Sequence, residues 1–240
     1  MSRRASLRRH LRLLALAAVP LLVLTGCSGD DDTPGGDEAA TPEEVMGLAK
    51  KTLDETSGVQ MELRTEELPS GVTGISAAEG VGTHDPAFEG TLTVILGGQP
   101  FEVPVIGVDD TVYAQIPLTP GWSDVDPADY GAPDPLELMS TDAGFSSLLT
   151  QTEGLQEGES VRGGENNSEV LTEYTGTLPG TVVSNVIPSA SGDFDATYTI
   201  SDEGELRTLV LTGVFYPETD PITYTLEFDD YGIEPDITAP

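Results

Sequence analysis

The chain has 240 residues, of which 42 are acidic and ten are basic, so its formal net charge is −32. This excess of negative charge argues against nucleic-acid binding, because phosphates attract Lys and Arg side chains, and equally against a polybasic grip on anionic lipid headgroups. One cysteine and two histidines are too few for a zinc site, and the sequence contains no P-loop, dinucleotide-binding or EF-hand motif. We therefore predict no metal and no cofactor, and we favour a solubilising surface over calcium binding as the reason for the acidity.

The amino terminus combines a basic head with a short apolar run. Five arginines lie within residues 1–12, and residues 13–24 are apolar or small. This pattern is typical of a secretory signal peptide, and the run is shorter than the roughly 20 residues that span a bilayer. The segment Leu24-Thr25-Gly26-Cys27 then resembles a bacterial lipobox. The alternative is an ordinary signal peptide with an incidental cysteine, but this sole cysteine has no disulfide partner.

The lipobox predicts the compartment and the anchor. Cys27 would carry a diacylglyceryl group and an amide-linked palmitate, and more than one acyl chain gives stable membrane anchoring. We expect a lipid-anchored protein on the extracytoplasmic face of the cell membrane. The predicted organisation is a signal peptide at 1–26, a flexible acidic tether at 27–40 and one domain at 41–240. Removal of residues 1–26 leaves five basic and 42 acidic side chains, a formal charge of −37.

A helix and a series of strands are predicted in the first half of the domain. Thr41-Pro42-Glu43-Glu44 has the pattern of a capped helix start, and apolar residues at helical spacing extend it to about Ser57. Alternation of apolar and polar residues then predicts strands near 59–65, 75–83, 88–96, 101–105 and 112–116. Gly97-Gly98 and Asp109-Asp110 are predicted as tight turns. Together these segments form an antiparallel meander.

The second half begins with an interruption and then returns to strands. Residues 117–157 contain five prolines, which break regular structure, and two short helices are predicted at 135–140 and 142–151. Strands follow near 159–163 and 170–178, with a short helix at 179–186. The last three strands are predicted near 194–200, 206–215 and 222–228. The fold class is therefore α+β, with an extensive antiparallel sheet and a few helices.

Catalytic chemistry is poorly represented. His84 is the only histidine outside the predicted signal peptide, and it lies in a turn that ends at Pro86. A general base needs a nucleophile and an orienting acid nearby, and no G-x-S-x-G motif is present. A hydrolase with paired carboxylates stays open, although no acidic residue stands out from the background. We interpret His84 as a loop residue and the protein as not an enzyme.

The predicted sheet has an apolar face that must be covered. Helices can cover it, or the sheet can close on itself. A strongly curved sheet over few helices can also leave an apolar cavity. Periodicity does not distinguish such a cavity from a filled core, and a filled core is the default interpretation of the pattern alone.

Short stretches across the domain carry a resemblance to a known family. They comprise Thr56–Val59, Leu68–Pro69, Ala77–Gly80, Phe88–Val94 with Gly97–Gly98, Val108–Ala114, Trp122–Pro127, Pro133–Pro135 and Tyr231–Pro240. In this order, and together with the lipobox, they resemble the LppX/LprA/LprF/LprG lipoproteins of mycobacteria and related actinobacteria. The resemblance implies a fold similar to LolA and LolB, in which a curved antiparallel half-barrel packs against a few helices around a hydrophobic cavity.

The resemblance also implies a function. Members of that family bind acylated lipids or glycolipids in the cavity and help carry them across the cell envelope, some of them beside a major-facilitator efflux pump. We therefore expect a lipid carrier, and the alternative is a structural or interaction lipoprotein of the envelope with a filled core. This chain departs from the family in its heavy acidity, because it has few Lys or Arg residues to hold an anionic headgroup.

Candidate cavity residues follow from strand alternation, since residues spaced by two point to the same face. A shift of one residue would turn a whole set outward. The predicted lipid-binding residues are Leu92, Val94, Leu96, Val103, Val105, Tyr198, Ile200, Leu209 and Leu211.

Overall fold

The structure is a computed structural model that describes residues 40–240. The predicted lipid anchor Cys27, the predicted signal peptide and the predicted tether up to residue 39 lie outside the described residues. Contacts group Ala39–Pro240 into one compact unit.

Eleven antiparallel strands form one open, curved sheet, which confirms the predicted fold class. The strands are β1 Gly58–Arg64, β2 Gly74–Thr83, β3 Ala87–Leu96, β4 Gln99–Val108, β5 Thr111–Ala114, β6 Ser123–Val125, β7 Glu153–Gly163, β8 Glu169–Leu178, β9 Ser191–Ser201, β10 Leu206–Val214 and β11 Ile222–Asp229. Their order across the sheet is β6-β5-β4-β3-β2-β1-β11-β10-β9-β8-β7. Two meanders, β1–β6 and β7–β11, are thus joined where β1 pairs with β11.

Three α-helices accompany the sheet: α1 Pro42–Glu55, α2 Phe145–Thr150 and α3 Gly180–Val186. Helix α1 begins as predicted, because the Thr41 hydroxyl accepts the Glu44 N–H at 3.3 Å and the Glu44 carboxylate accepts the Thr41 N–H at 2.9 Å. The helix ends two residues before the predicted Ser57, and Gly58 opens β1.

The predicted helix at 135–140 is absent, and turns occupy residues 135–139. The Glu137 N–H donates to Asp134 O and the Ser140 N–H donates to Glu137 O, so each bond closes a single turn over three residues. The helical period therefore does not continue through this proline-rich stretch. Two short 3-10 helices, Pro127–Tyr130 and Glu165–Asn167, complete the regular elements of residues 40–240.

Both predicted tight turns are confirmed. Gly97 and Gly98 have φ of 58° and 77°, and Asp109 and Asp110 have φ of 53° and 58°. Two consecutive residues with positive φ form a type I′ turn, whose twist suits a two-residue hairpin. The flanking pairs, Leu96 with Gln99 and Val108 with Thr111, fix the register of β4 against both of its neighbours.

The register aligns apolar side chains in rows across the sheet. Residues directly opposite one another in neighbouring strands point to the same face. One such row runs from β9 to β4 through Tyr198, Leu209, Leu226, Leu63, Ala78, Leu92 and Val103. This face, which we call the inner face, carries all nine residues that sequence alternation selected.

The inner face of β8–β11 and the three helices form a filled core, which we call the filled half. Helices α1, α2 and α3 contribute fully buried Leu, Met and Val side chains to it. Phe194, Phe215 and Tyr224 pack edge to face, with ring centroids 4.9 and 4.8 Å apart. Such aromatic pairs stabilise a core beyond the area they bury.

A cluster of charges lies around Arg207. Its guanidinium lies 2.9 Å from the Glu169 carboxylate, 2.8 Å from Glu205 and 3.5 Å from Asp229. Burial, the largest influence, raises the pKa of Glu205 despite the favourable charge of Arg207 beside it. The chain therefore keeps a half-buried carboxylate that is more costly to ionise in the folded state than in the unfolded state.

This cluster gives a pH-dependent stability. Because the folded pKa of Glu205 lies above the unfolded value of about 4.3, the stability from this group is complete below that value and is lost as pH rises through the folded pKa. We expect the protein to gain stability as the pH falls from neutral towards the unfolded pKa of about 4.3, and Glu205→Gln to shrink that gain. Melting temperatures across this range measure the effect. Glu234→Gln, at an exposed acid that is not among the groups acting on Glu205, is the control, and an equal gain in all three proteins would contradict the assignment.

Candidate functional site

A cavity of about 510 Å³ lies against the inner face of β1–β6, which we call the cavity half. Strands β1–β6 and β11 contribute its sheet wall, and the segment between β5 and α2 contributes the opposite wall. The sheet wall comprises Met61, Leu63, Ile75, Ala78, Gly80, Phe88, Leu92, Val94, Leu96, Val103, Val105, Val112, Ala114, Val125 and Leu226. The other wall comprises Ile116, Pro117, Pro127, Asp129, Tyr130, Ala132, Pro133, Pro135 and Leu138, together with Phe145 of α2.

The composition of the covering segment explains why this space stays open. Four of its lining residues are prolines, at 117, 127, 133 and 135, and a fifth is Ala132. Proline and alanine side chains are short, and the proline ring is fixed to the backbone. They fill less of the space above the sheet than the Leu, Met and Val side chains that the helices insert into the filled half. The same inner face is therefore packed at one end and hollow at the other.

Two facing glycines shape the closed end of the cavity. Gly80 of β2 and Gly90 of β3 are directly paired on the inner face. A Cβ at Gly80 would lie 2.6 Å from Phe88 Cζ, and one at Gly90 would lie 2.8 Å from the same atom. The Phe88 ring therefore rests over bare backbone, which is a close approach that only glycine permits. Phe88 is buried and forms part of the lining.

The opposite end of the cavity opens towards solvent. Leu96, beside the Gly97-Gly98 hairpin, lines the cavity and is 37% exposed, and Ile116 and Pro117 line it where the chain leaves β5 at this end. We call this end the mouth. An exposed large apolar side chain in the cavity wall shows that the apolar lining reaches the surface of the protein here.

The lining is almost uncharged. Asp129 is its one acidic side chain on the covering segment, and strand alternation turns the carboxylates of Glu62 and Glu79 to the outer face although both residues border the cavity. The described residues that line the cavity include no Lys, Arg or His. The cavity thus offers apolar surface and no fixed positive charge to a ligand.

The cations of residues 40–240 lie elsewhere. Lys50 pairs with Asp54 at 2.7 Å, Lys51 lies 3.8 Å from Glu55, and Arg64 pairs with Glu62 and Glu227 on the outer face. Arg207 is held by the three acids described above, and Arg162 donates to Ser168 O at 3.5 Å. Most of the positive charge of the described chain is therefore already engaged by carboxylates.

The structure divides the nine predicted lipid-binding residues into two sets. Leu92, Val94, Leu96, Val103 and Val105 line the cavity. Tyr198, Ile200, Leu209 and Leu211 share the inner face but lie in the filled half, where each is at most 1% exposed, and they do not line the cavity.

Tyr198 shows the structural role of this second set. Its hydroxyl lies 2.6 Å from Thr152 Oγ1, and burial raises the pKa of its phenol. A buried tyrosine hydroxyl is normally hydrogen-bonded, so Thr152 satisfies the one polar atom that Tyr198 brings into the core.

The nine predicted residues omit two parts of the lining. On the sheet wall they leave out Met61, Leu63, Ile75, Ala78, Gly80, Phe88, Val112, Ala114, Val125 and Leu226. They also leave out the whole covering segment. Pro117, Tyr130, Pro133 and Leu138 have no strand periodicity, so the face that they present is not encoded in an alternating pattern. The sequence feature that could have pointed to them is the high density of prolines between strands of an otherwise continuous meander. Such a segment covers a sheet without filling the space beneath it.

His84 connects two elements. Its ring Nε2 lies 2.8 Å from Leu53 O, near the end of α1, and its backbone N–H donates to Ser57 O at 3.3 Å.

Within residues 40–240, no group of three or more His, Cys, Asp or Glu residues is arranged to hold a metal ion. Of the helices in this part of the chain, none combines the length and apolarity needed to cross a membrane.

Comparison with known proteins agrees with this architecture. Crystal structures of LprF from Mycobacterium bovis and lipoprotein LppX from Mycobacterium tuberculosis superpose with TM-scores of 0.66 and 0.61. LprF is 13% identical and the alignment covers 83% of this chain and 96% of LprF; LppX is 18% identical, with coverages of 82% and 98%. At these identities the likeness shows the fold alone. Among curated proteins, none matches the sequence significantly.

A family model gives the assignment at the sequence level. The model of the LppX_LprAFG lipoprotein matches residues 41–235, which is most of the chain and nearly all of the compact unit. The match includes both walls of the cavity and every strand of the sheet. This chain therefore belongs to the LppX_LprAFG family of envelope-associated lipoproteins.

Proposed function

We propose that the protein binds acylated lipids or glycolipids in the cavity and carries them across the cell envelope. The observation that supports this most directly is the open apolar cavity of about 510 Å³ beside a core that is fully packed. This volume falls within the roughly 300–1,000 Å³ of small-molecule sites. Each methylene that moves from water into such a site gains about 0.8 kcal/mol, so acyl chains are the ligand that this lining favours.

The charges around the cavity favour a lipid whose headgroup is uncharged. No basic side chain lines the described cavity, and the chain carries a formal charge of −32. An anionic headgroup would meet Asp129 in the lining and the field of the surrounding acids without a cation to offset them. Tyr130 and Thr73, which border the cavity, supply hydroxyls that can hydrogen-bond to ester or sugar oxygens.

The predicted anchor completes the proposal. Acylation of Cys27 would hold the carrier at the extracytoplasmic face of the membrane, and residues 27–40 would let the domain 41–240 reorient above it. A lipid with two or three acyl chains leaves a bilayer slowly because its chains must cross water, and a nearby cavity removes that step. The protein would act as a carrier rather than an enzyme, and its proposed partner in the envelope is an efflux pump of the major-facilitator type.

Mass spectrometry tests both parts of the proposal. We expect native spectra of protein purified from its own membranes to show one retained lipid with an uncharged headgroup, and peptide spectra to place acyl mass on Cys27. Mixing delipidated protein with equal amounts of a diacylglycerol and phosphatidic acid of the same chains should load the diacylglycerol preferentially. Protein that retains no lipid and takes up neither compound would support the structural lipoprotein instead.

A further inference from the structure

Leu118 is the most exposed large apolar side chain of the described residues, at 99%, and its φ is +68°. It occupies a turn in which the Thr119 N–H donates to Ile116 O at 3.0 Å. Pro117 is the second residue of this turn, and its ring excludes positive φ there. Positive φ at the third residue then defines a type II turn, in which the third position strongly prefers Gly or Asn.

Leu118 therefore contributes nothing favourable to the fold. Its side chain contacts no core, and its backbone adopts a conformation that a Cβ disfavours. The other six non-glycine residues with positive φ in residues 40–240 are all Asp, Asn or Glu. Strained residues that packing does not explain occur preferentially at functional sites, where the strain serves a contact that the isolated chain lacks.

The position of Leu118 connects it to the mouth of the cavity. Ala114 pairs with both Val105 and Ser123, so the 115–122 loop lies at the same end of the sheet as the Gly97-Gly98 hairpin. Its two preceding residues, Ile116 and Pro117, line the cavity. Leu118 thus continues the apolar lining outward from Ile116 and Pro117, at the end of the cavity where Leu96 is exposed.

The chain segments around Leu118, at the end of the sheet with the Gly97-Gly98 hairpin, carry no charged side chains. Residues 111–123 contain no charged side chain, and neither do residues 95–101, in a chain with 52 charged side chains in all. The neighbouring loops at the same end, 65–73 and 215–221, carry Glu66, Glu67, Glu218 and Asp220. An uncharged apolar tip flanked by acids suits an apolar surface without negative charge.

We propose that the 115–122 loop docks the mouth of the cavity on a zwitterionic lipid bilayer, with Leu118 inserted among the acyl chains. This inference rests on the proposed function, because docking gives a bilayer lipid a continuous apolar path from the membrane into the cavity. The flanking acids orient the mouth and weaken binding to anionic bilayers by like-charge repulsion. Insertion of one leucine side chain accounts for roughly a ten-fold change in membrane affinity.

The test uses the chain from residue 27 onward with Cys27→Ser, which keeps the whole compact unit but has no acyl anchor. Flotation with phosphatidylcholine vesicles measures binding, and Trp122, the single tryptophan of the chain, reports insertion of the loop by a blue shift of its emission. We expect Leu118→Asn to bind roughly ten-fold more weakly and to lose the blue shift. Its melting temperature should not fall, because Asn suits the turn better than Leu does.

Val161→Asn is the matched control, since Val161 is 56% exposed and lies on the edge strand β7, far across the sheet from β5 and β6. It should bind vesicles as the parent does, and adding phosphatidylglycerol should weaken binding of both. Equal vesicle binding by the parent and Leu118→Asn overturns the proposal. So does a change in oligomeric state by Leu118→Asn with unchanged vesicle binding, which assigns the loop to a second copy.

The docking proposal and the carrier proposal can be tested independently of each other. Loading of a fluorescent diacylglycerol from detergent solution measures the cavity without a bilayer, and Leu118→Asn should load as the parent does. If the parent loads nothing but binds vesicles through Leu118, the carrier proposal fails and docking stands. If both proteins load and both bind vesicles equally, the docking proposal fails and the carrier stands.

Discussion

Leu92→Trp is expected to abolish lipid uptake while the protein stays folded, whereas Leu209→Trp is expected to destabilise the fold severely. The two leucines belong to the same row of the inner face, so their side chains point in the same direction from the same sheet. They differ in what lies above them. Leu92 borders the cavity, and Leu209 is fully buried in the filled half.

The physical reason is the space available to the larger ring. At Leu209 the added atoms meet a close-packed core, and overpacking costs about 1–3 kcal/mol or more. For a domain of this size each kilocalorie lowers the melting temperature by roughly 2–4 °C. At Leu92 the indole enters existing empty volume, so it costs little stability and occupies the space that acyl chains would take.

Lipid occupancy by native mass spectrometry and melting temperature of the delipidated protein separate the two effects. We expect Leu92→Trp to lose nearly all bound lipid with a shift of only a few degrees, and Leu209→Trp to melt far lower. Comparable drops in melting temperature for both variants would mean that the space above Leu92 is packed in solution. That result would remove the support for a lipid carrier.

Phe88→Ala is expected to destabilise the empty protein by about 3 kcal/mol and to recover much of that loss when lipid binds. Removing a buried phenylalanine costs about 3–5 kcal/mol, which combines lost burial with the void left behind. The void left by Phe88 joins the existing cavity, because Phe88 is part of the lining. An acyl chain can therefore extend over Gly80 and Gly90 and restore the lost contacts.

Phe194→Ala is the matched control. Phe194 is fully buried in the filled half and packs against Phe215, so its removal should cost a similar free energy of unfolding. Its void is isolated from the cavity, and lipid should not restore stability beyond the gain seen in the parent. Chemical denaturation with and without a long-chain diacylglycerol measures both quantities. Equal recovery in the two variants would show that Phe88 does not border the bound lipid.

The sequence allowed the residues of the inner face to be predicted, but not which of them lie in the filled half and which line the cavity. Alternation placed Leu92 and Leu209 on the same side of their strands, and the register confirms that they share a row. Whether a residue of that row meets a helix or an open space depends on segments distant in sequence. Helix α1 could be located from Thr41 and Pro42 because its capping signal is local.

Other features were not local and could not be predicted in this way. The pairing of β1 with β11 joins residues more than 160 positions apart, such as Met61 and Phe228. The two alternation patterns carry no information about which strand is the neighbour. The predicted helix at 135–140 was wrong because apolar spacing in that stretch is equally compatible with the successive turns that follow Asp134.

The junction of β1 with β11 also governs how the protein reaches its folded state. Each meander consists of neighbouring hairpins, so its contacts are short in sequence and can form early. The two meanders can join only when nearly the whole chain is available for folding, because β11 finishes at Asp229. Until then β1 presents an unpaired edge, which is the kind of surface that promotes aggregation. Leu226, at this seam, also lines the cavity, so the cavity wall is complete only once the two meanders have joined, a closure that brings together residues far apart in sequence.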